Sequence, residues 1–159
     1  MKKNKKGTQS RKKLEICVIN GPNLDMLGKR EPEIYGKESL EDINMALEAE
    51  AERLGINLTT FQSNYEGAIV EKIHQAHKEK WDGIIINPGA YTHTSVAIRD
   101  ALLILSVPVI EIHLSNIHKR DDFRHRSMIS DIAAGQIIGF GAMGYEMALN
   151  ALVQILNSK

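Results

Sequence analysis

The chain has 159 residues, 43% of them hydrophobic, which is enough for one domain with a full core. Lys and Arg together balance Asp and Glu at 20 each, but seven of the basic residues and none of the acidic ones lie in residues 1–13. The rest of the chain therefore has 13 basic and 20 acidic residues, a net charge of −7, which argues against a nucleic-acid partner for the folded part. We expect residues 1–13 to be a disordered tail and residues 14–159 to form a single domain.

The sequence also predicts a cellular compartment. No apolar segment of the kind found in signal peptides follows the basic tail, and no apolar run is long enough to span a membrane. The one cysteine, Cys17, cannot form an internal disulfide. We therefore expect a protein of the reducing cytoplasm with no membrane partner.

Apolar runs typical of strands alternate along the chain with segments of helical periodicity. The predicted strands are Leu14–Ile19, Asn57–Gln62, Ile84–Ile86, Val107–His113 and Gln136–Phe140. The predicted helices lie near Leu40–Leu54, Glu66–Lys80, Ser95–Leu105 and Met143–Asn157. Ser39 and Gly55 are the expected caps of the first helix. Strict alternation of strands and helices predicts an α/β fold, with a parallel sheet covered on both faces.

The segment between the first strand and the first helix is too long for a simple connection. It spans about twenty residues and includes NGPNLDMLGKREPEIYG, from Asn20 to Gly36, whereas such connections usually take two to six residues. This length predicts a lid. Arg30 lies five residues before Tyr35, and because a guanidinium favours the ionised form of a nearby phenol, the pair could abstract a proton. A solvated surface loop is the alternative interpretation.

Polar residues are concentrated at the carboxyl ends of three predicted strands, where open α/β sheets bind their ligands. They are Asn20 and Asn23 after the first strand, Asn87, Tyr91 and His93 after the third, and Glu111, His113, Ser115 and Asn116 at the end of the fourth. A single group of this kind would be ordinary turn chemistry. Three groups on one edge of the sheet favour a binding or catalytic site.

His113 is the candidate acid–base residue of this edge. A histidine exchanges protons near neutral pH, and Glu111 lies two residues earlier on the same strand face, where it can help to set the protonation of His113. A structural histidine is the alternative, but the nearby Ser115 and the Arg30–Tyr35 segment favour catalysis. The sequence has no Gly-x-Ser-x-Gly elbow and no Walker loop, so acid–base chemistry is the remaining prediction.

Two further segments invite functional interpretations that we consider weaker. GFGAMG, from Gly139 to Gly144, satisfies the dinucleotide-binding pattern, but neither a further strand nor a suitably spaced acid follows, so we expect turn and helix-packing glycines. In the basic segment from His118 to Arg126, we expect five residues to lie on the surface: His118, Lys119, Arg120, His125 and Arg126.

Four motifs closely resemble those of the type II 3-dehydroquinate dehydratases. They are NGPNLDMLGKREPEIYG, NPGAYTHTSVAIRDAL, EIHLSN and FRHRS, which occur in the order and spacing of that family. The resemblance runs from about Leu14 to the final helix. Asp25 and Met26 stand where Asn and Leu are usual, and Tyr65 stands where a histidine is common, but none of these is a residue that the family uses for catalysis.

The resemblance implies dehydration of 3-dehydroquinate to 3-dehydroshikimate, a step of the shikimate pathway of aromatic amino acid biosynthesis. The reaction would be an anti elimination through an enolate, with no cofactor, no metal and no Schiff base. Tyr35 would be the base, assisted by Arg30. His113 would protonate the departing hydroxyl, with Glu111 in support, and Asn23 would hold the enolate oxygen through a water. We expect a flavodoxin-like three-layer sandwich with a five-stranded parallel sheet in the order 2-1-3-4-5, forming a single catalytic domain over residues 14–159.

The resemblance also implies binding roles and an assembly. Asn87 and the Leu114–Ser115 pair would anchor the carboxylate end of the substrate, while His93 and Arg124 would bind its ring hydroxyls. Asp100 resembles the acid that family members present to the site of a neighbouring subunit. The expected partner is therefore a second copy of the chain, in a homo-oligomer that is typically a dodecamer built from trimers.

Two other functions remain open at this point. A non-enzymatic flavodoxin-like module that holds a flavin, a nucleotide or a protein partner would explain the fold and the glycine-rich turn. It would not explain Arg30, Tyr35 and His113. A different hydro-lyase, acting on a related polyol acid, is the alternative among enzymes.

Overall fold

The structure, a computed structural model, describes residues 12–29 and 31–158. Five parallel strands form one sheet in the order β2-β1-β3-β4-β5, which confirms the predicted strand order. The strands are β1 (Glu15–Asn20), β2 (Asn57–Gln62), β3 (Gly83–Asn87), β4 (Val109–His113) and β5 (Gly135–Ile138). Most of the predicted basic tail, residues 1–11, lies outside the described residues, as does Arg30.

Helices cover both faces of the sheet. They are α1 (Pro32–Tyr35), α2 (Leu40–Leu54), α3 (Glu66–Lys78), α4 (Val96–Leu103) and α5 (Met143–Asn157). Within the described part of the chain, no helix is long and apolar enough to cross a membrane.

Local signals explain where several elements begin and end. Ser39 caps α2 as predicted, because its Oγ accepts a hydrogen bond from the Asp42 N–H at 3.1 Å while the Asp42 carboxylate accepts one from the Ser39 N–H at 2.9 Å. Gly55 ends the same helix in the left-handed conformation, with φ of 68°.

Four other predicted elements extended beyond an observed end. β4 begins at Val109, not Val107, because Pro108 has no N–H to donate to a neighbouring strand. β5 ends at Ile138, not Phe140, because the chain turns at Gly139, which has a φ of 90°. Helices α3 and α4 each end two residues earlier than predicted.

The core is divided by the sheet into two layers. Alternate residues of β1 face opposite sides: Ile16 and Val18 pack with α2 and α5, whereas Cys17 and Ile19 pack with α3 and α4. Since both faces are covered, residues 16–19 of β1 and 83–86 of β3 are apolar, and Asn20 and Asn87 follow as the last residues of these strands. β4 differs, because it carries the buried Glu111 in its middle and His113 at its end.

The predicted lid segment is partly ordered by this core. It contains a 3₁₀ turn at Leu24–Met26 and the short helix α1, rather than irregular loop alone. Leu24 and Leu27 are buried in the layer that holds α2 and α5. These two leucines anchor the first part of the segment to the domain, close to the carboxyl end of β1.

Candidate active site

A cavity of about 290 Å³ lies beyond the carboxyl ends of β1, β3 and β4. The sheet topology places it where the strand order reverses, which is the usual ligand position in such folds. Eight residues that the sequence singled out line this cavity: Asn23, Tyr35, Asn87, His93, His113, Leu114, Ser115 and Arg124. The structure therefore brings these eight predicted residues to one cavity, and their roles stay predictions.

Close contact between two loops forms one wall of this cavity. The Gly21 N–H donates to the Asn87 carbonyl at 2.8 Å, and a Cβ on Gly21 would lie only 2.3 Å from the Pro88 carbonyl oxygen. Only glycine allows this approach. Asn23, which follows in the left-handed conformation with φ of 66°, is held by a 2.9 Å hydrogen bond from its N–H to Oδ1 of Asn64.

His113 and Glu111 form a hydrogen-bonded pair at the end of β4. Oε1 of Glu111 lies 2.7 Å from Nε2 of His113, and Glu111 has no solvent-exposed surface. Burial raises the pKa of Glu111, but hydrogen bonds from His113, Thr92 and Ser127 outweigh this effect and hold the pKa below its ordinary value. A buried carboxylate therefore binds one ring nitrogen of His113, a residue that also lines the cavity.

Three side chains that the sequence analysis missed complete the surroundings of Glu111. Thr92 Oγ1 donates to it at 2.6 Å, Ser127 Oγ at 2.8 Å and Gln136 Nε2 at 2.7 Å. Gln136 lies opposite Glu111 in the β4–β5 register, so it could have been found once the strand order was known. Nothing in the local sequence of Thr92 or Ser127 points to the contact.

His93 lines the cavity, and one of its ring nitrogens is held by a backbone carbonyl. Nδ1 of His93 lies 2.8 Å from the Arg126 carbonyl oxygen, which can only accept, so Nδ1 carries the hydrogen. Burial lowers the pKa of His93 against the effect of that hydrogen bond, and the nearby His113 and Arg124 lower it further. In the neutral ring Nε2 is an acceptor, suited to a hydroxyl donor.

Tyr35, the last residue of α1, is partly buried and has a cation beside its ring. The guanidinium carbon of Arg120 lies 5.3 Å from the ring centroid, and Arg120 also lines the cavity. The expectation that Arg120 lies on the surface is therefore wrong: the chain after β4 folds back over the same edge of the sheet. The predicted pairing of Tyr35 with Arg30 cannot be placed, because Arg30 is outside the described residues.

The glycine-rich turn after β5 contacts the backbone at the end of β4, next to the cavity. The Gly139 N–H donates to the His113 carbonyl at 3.0 Å and the Gly141 N–H donates to the Leu114 carbonyl at 2.9 Å. A Cβ on Gly144 would lie 3.2 Å from the Ile112 side chain. These glycines act in turns and helix packing, as expected, and they fix the backbone next to His113.

Asp100 lies away from the cavity of its own chain. It is exposed on α4, next to Arg99, which forms an ion pair with Asp131. Its predicted contact with a neighbouring subunit stays a prediction. Among the residues that the structure describes, no group of three or more His, Cys, Asp or Glu side chains is arranged to hold a metal ion.

The fold and the cavity are those of an α/β protein with a buried His–carboxylate pair at the carboxyl edge of a flavodoxin-like sheet. Residues 14–153 match the Dehydroquinase class II family, and the chain belongs to this family of hydro-lyases. It is 59% identical over 139 residues to the 3-dehydroquinate dehydratase of Acinetobacter baylyi, covering 87% of this chain and 93% of that protein. It is 55% identical over 141 residues to that of Halothermothrix orenii, covering 89% and 95%.

A solved structure supports the same assignment. The type II dehydroquinase of Butyrivibrio crossotus superposes with a TM-score of 0.87 at 48% identity, covering 88% of this chain and 97% of that one. At this identity the likeness extends beyond the fold to the family.

Proposed function

We propose that this chain dehydrates 3-dehydroquinate to 3-dehydroshikimate in the cytoplasm, as a step of the shikimate pathway. One observation carries the proposal: Tyr35 and the Glu111-bound His113 line the same cavity in a chain of the class II dehydroquinase family. Elimination of water needs a base and an acid that act on the same substrate, and these two side chains supply them.

The reaction begins with loss of the proton beside the ketone. Tyr35, as a phenolate, takes this proton, and the electron pair of the C–H bond moves into the enolate. Arg120, and Arg30 as expected from the sequence, supply positive charge that stabilises a phenolate and the negative charge that develops in the transition state. Asn23 holds the enolate oxygen through a water.

The second step expels the tertiary hydroxyl as water. The enolate re-forms the ketone, the C–O bond breaks, and His113 donates the proton that converts the departing hydroxide into water. The buried carboxylate of Glu111 stabilises positive charge on the imidazole and fixes the direction in which the ring points. The proposed reaction converts one molecule of 3-dehydroquinate into one enone and one water, and it needs no cofactor.

Binding would follow from the remaining side chains of the cavity. Asn87, Leu114 and Ser115 anchor the carboxylate end of the substrate. His93 accepts from a ring hydroxyl through Nε2, and Arg124 binds a second hydroxyl. Asp100 serves the site of a neighbouring subunit in a homo-oligomer of trimers, with a dodecamer as the complete assembly.

A steady-state assay tests the proposal. Purified protein is mixed with 3-dehydroquinate and formation of the conjugated enone is followed by ultraviolet absorbance. We expect turnover that disappears in His113→Ala. Turnover of a related polyol acid but not of 3-dehydroquinate would favour a different hydro-lyase, whereas a yellow, inactive preparation would favour a flavin-binding module.

A further inference from the structure

We infer that Tyr145, a residue of α5 that does not line the cavity, is a positioning residue that fixes the orientation of the Asn87 amide. The inference deepens the proposed function, and the kinetic test of the inference rests on that function. Its basis is a chain of buried hydrogen bonds that joins α5 to the ends of β1 and β3.

The hydroxyl of Tyr145 lies between two asparagine side chains. It donates to Oδ1 of Asn20 at 2.6 Å and accepts from Nδ2 of Asn87 at 3.0 Å. Tyr145 and Asn20 have no exposed surface and Asn87 is 2% exposed. Burial raises the pKa of Tyr145 well above its ordinary value, so the phenol keeps the hydrogen that Asn20 accepts.

The two bonds of the Asn87 amide leave it one orientation. Nδ2 donates to Tyr145, while Oδ1 accepts from the Gly89 N–H at 3.2 Å. A flipped amide would lose both bonds and place two donors or two acceptors against each other. Because Asn87 lines the cavity, its orientation decides which hydrogen-bonding atoms the substrate meets.

Asn20 is oriented by the same hydroxyl. It pairs with Asn87 in the register of β1 and β3, so the two amides lie side by side at the strand ends. Within the described residues, Nδ2 of Asn20 is buried without a hydrogen-bond partner, which leaves the bond to Tyr145 as the side-chain bond that orients it. Removing the hydroxyl would leave the Oδ1 acceptor of Asn20 and the Nδ2 donor of Asn87 without their partner beside the cavity.

Tyr145→Phe removes only this hydroxyl. We expect KM for 3-dehydroquinate to rise about five- to tenfold, with a smaller change in kcat, because a misoriented Asn87 weakens binding of the carboxylate end. Ile73→Val, in the core layer on the other side of the sheet, is the matched control for lost stability. It should lower the midpoint of thermal unfolding without a change in KM. If Tyr145 had a purely structural role, Tyr145→Phe would also lower the midpoint of thermal unfolding without a change in KM.

A double-mutant cycle shows whether Tyr145 acts through Asn87. Asn87→Ala should raise KM by itself, and adding Tyr145→Phe should raise it no further. An unchanged KM in Tyr145→Phe, or the same increase with and without Asn87, would overturn the inference.

A readout that does not use activity separates this inference from the proposed function. In NMR spectra of the wild-type protein, the Nδ2 hydrogen of Asn87 that binds Tyr145 should exchange slowly with water, and it should exchange faster in Tyr145→Phe. Rapid exchange in the wild type would refute the inference even if the variant failed to fold. A wild-type protein with slow exchange and no dehydratase activity would instead refute the proposed function alone.

Discussion

Glu111 presents a buried carboxylate oxygen 2.7 Å from Nε2 of His113, on the same face of β4. The pair links His113, the proposed acid, which lines the cavity, to a charge that no solvent screens. Four hydrogen-bond donors surround the carboxylate, so its charge is held in a fixed position.

Glu111→Gln should lower kcat by about 10²-fold or more, with a smaller effect on KM, because a neutral amide no longer stabilises the imidazolium or its orientation. Glu48→Gln, at an exposed position of α2, is the control and should leave kcat unchanged. Steady-state kinetics with 3-dehydroquinate measure both. A Glu111→Gln enzyme with wild-type kcat would show that the pair has no catalytic role.

Stability at low pH should report the same carboxylate. Its pKa is lower in the folded chain than in the unfolded chain, where a glutamate has a pKa of about 4.3. Its contribution to the free energy of unfolding is therefore complete above about pH 4.3 and is lost as the pH falls through the lower folded value. Urea unfolding should show that the difference in free energy of unfolding between the wild type and Glu111→Gln shrinks as the pH falls from about 5 to about 3. A constant difference down to pH 3 would contradict the shift.

Tyr35→Phe should lower kcat by about 10² to 10⁴-fold with little change in substrate binding, because it removes the proposed base and keeps the ring. Tyr65→Phe is the control, since the Tyr65 side chain is 78% exposed. Direct binding by calorimetry separates affinity from turnover. Near wild-type kcat in Tyr35→Phe would assign the base to another residue.

Arg120→Met should lower kcat by about tenfold or more, because it removes a permanent cation beside Tyr35 and retains a side chain of similar length. Arg53→Met provides the comparison: Arg53 pairs with Glu50 on the surface of α2, and its loss should not affect turnover. If the two variants had equal kcat values, the contact between Arg120 and Tyr35 would be packing alone.

Assembly and activity should fall together if Asp100 serves a neighbouring site. In a dilution series followed by sedimentation and by initial rate, loss of trimers should coincide with loss of activity. Asp100→Asn should reduce the activity of the intact oligomer. A fully active monomer would refute the shared site while leaving the dehydratase proposal in place.

The positions of helices and strands were predictable because their signals are local. The spacing of apolar residues in α2, with Ser39 before it and Gly55 after it, predicted its observed bounds. Predictions were less accurate where a single residue governs the end, as at Pro108 and Gly139. Polar residues that follow strand ends predicted a shared cavity, because parallel strands bring all their carboxyl ends to one edge. The proposed acid–base roles of His113 and of the Arg30–Tyr35 pair came from their chemistry, whereas the proposed binding roles came from the resemblance to a family.

The sequence by itself determined the fold class, and it predicted which polar side chains the structure brings to one edge of the sheet. Only the tertiary structure decided which side chains support them: Arg120 beside Tyr35, Gln136 beside Glu111 and Tyr145 beneath Asn87. Local periodicity records whether a residue faces core or solvent, but not its partner. A hydrogen bond between Asn20 and Tyr145, 125 positions apart, depends on strand order, register and helix packing together.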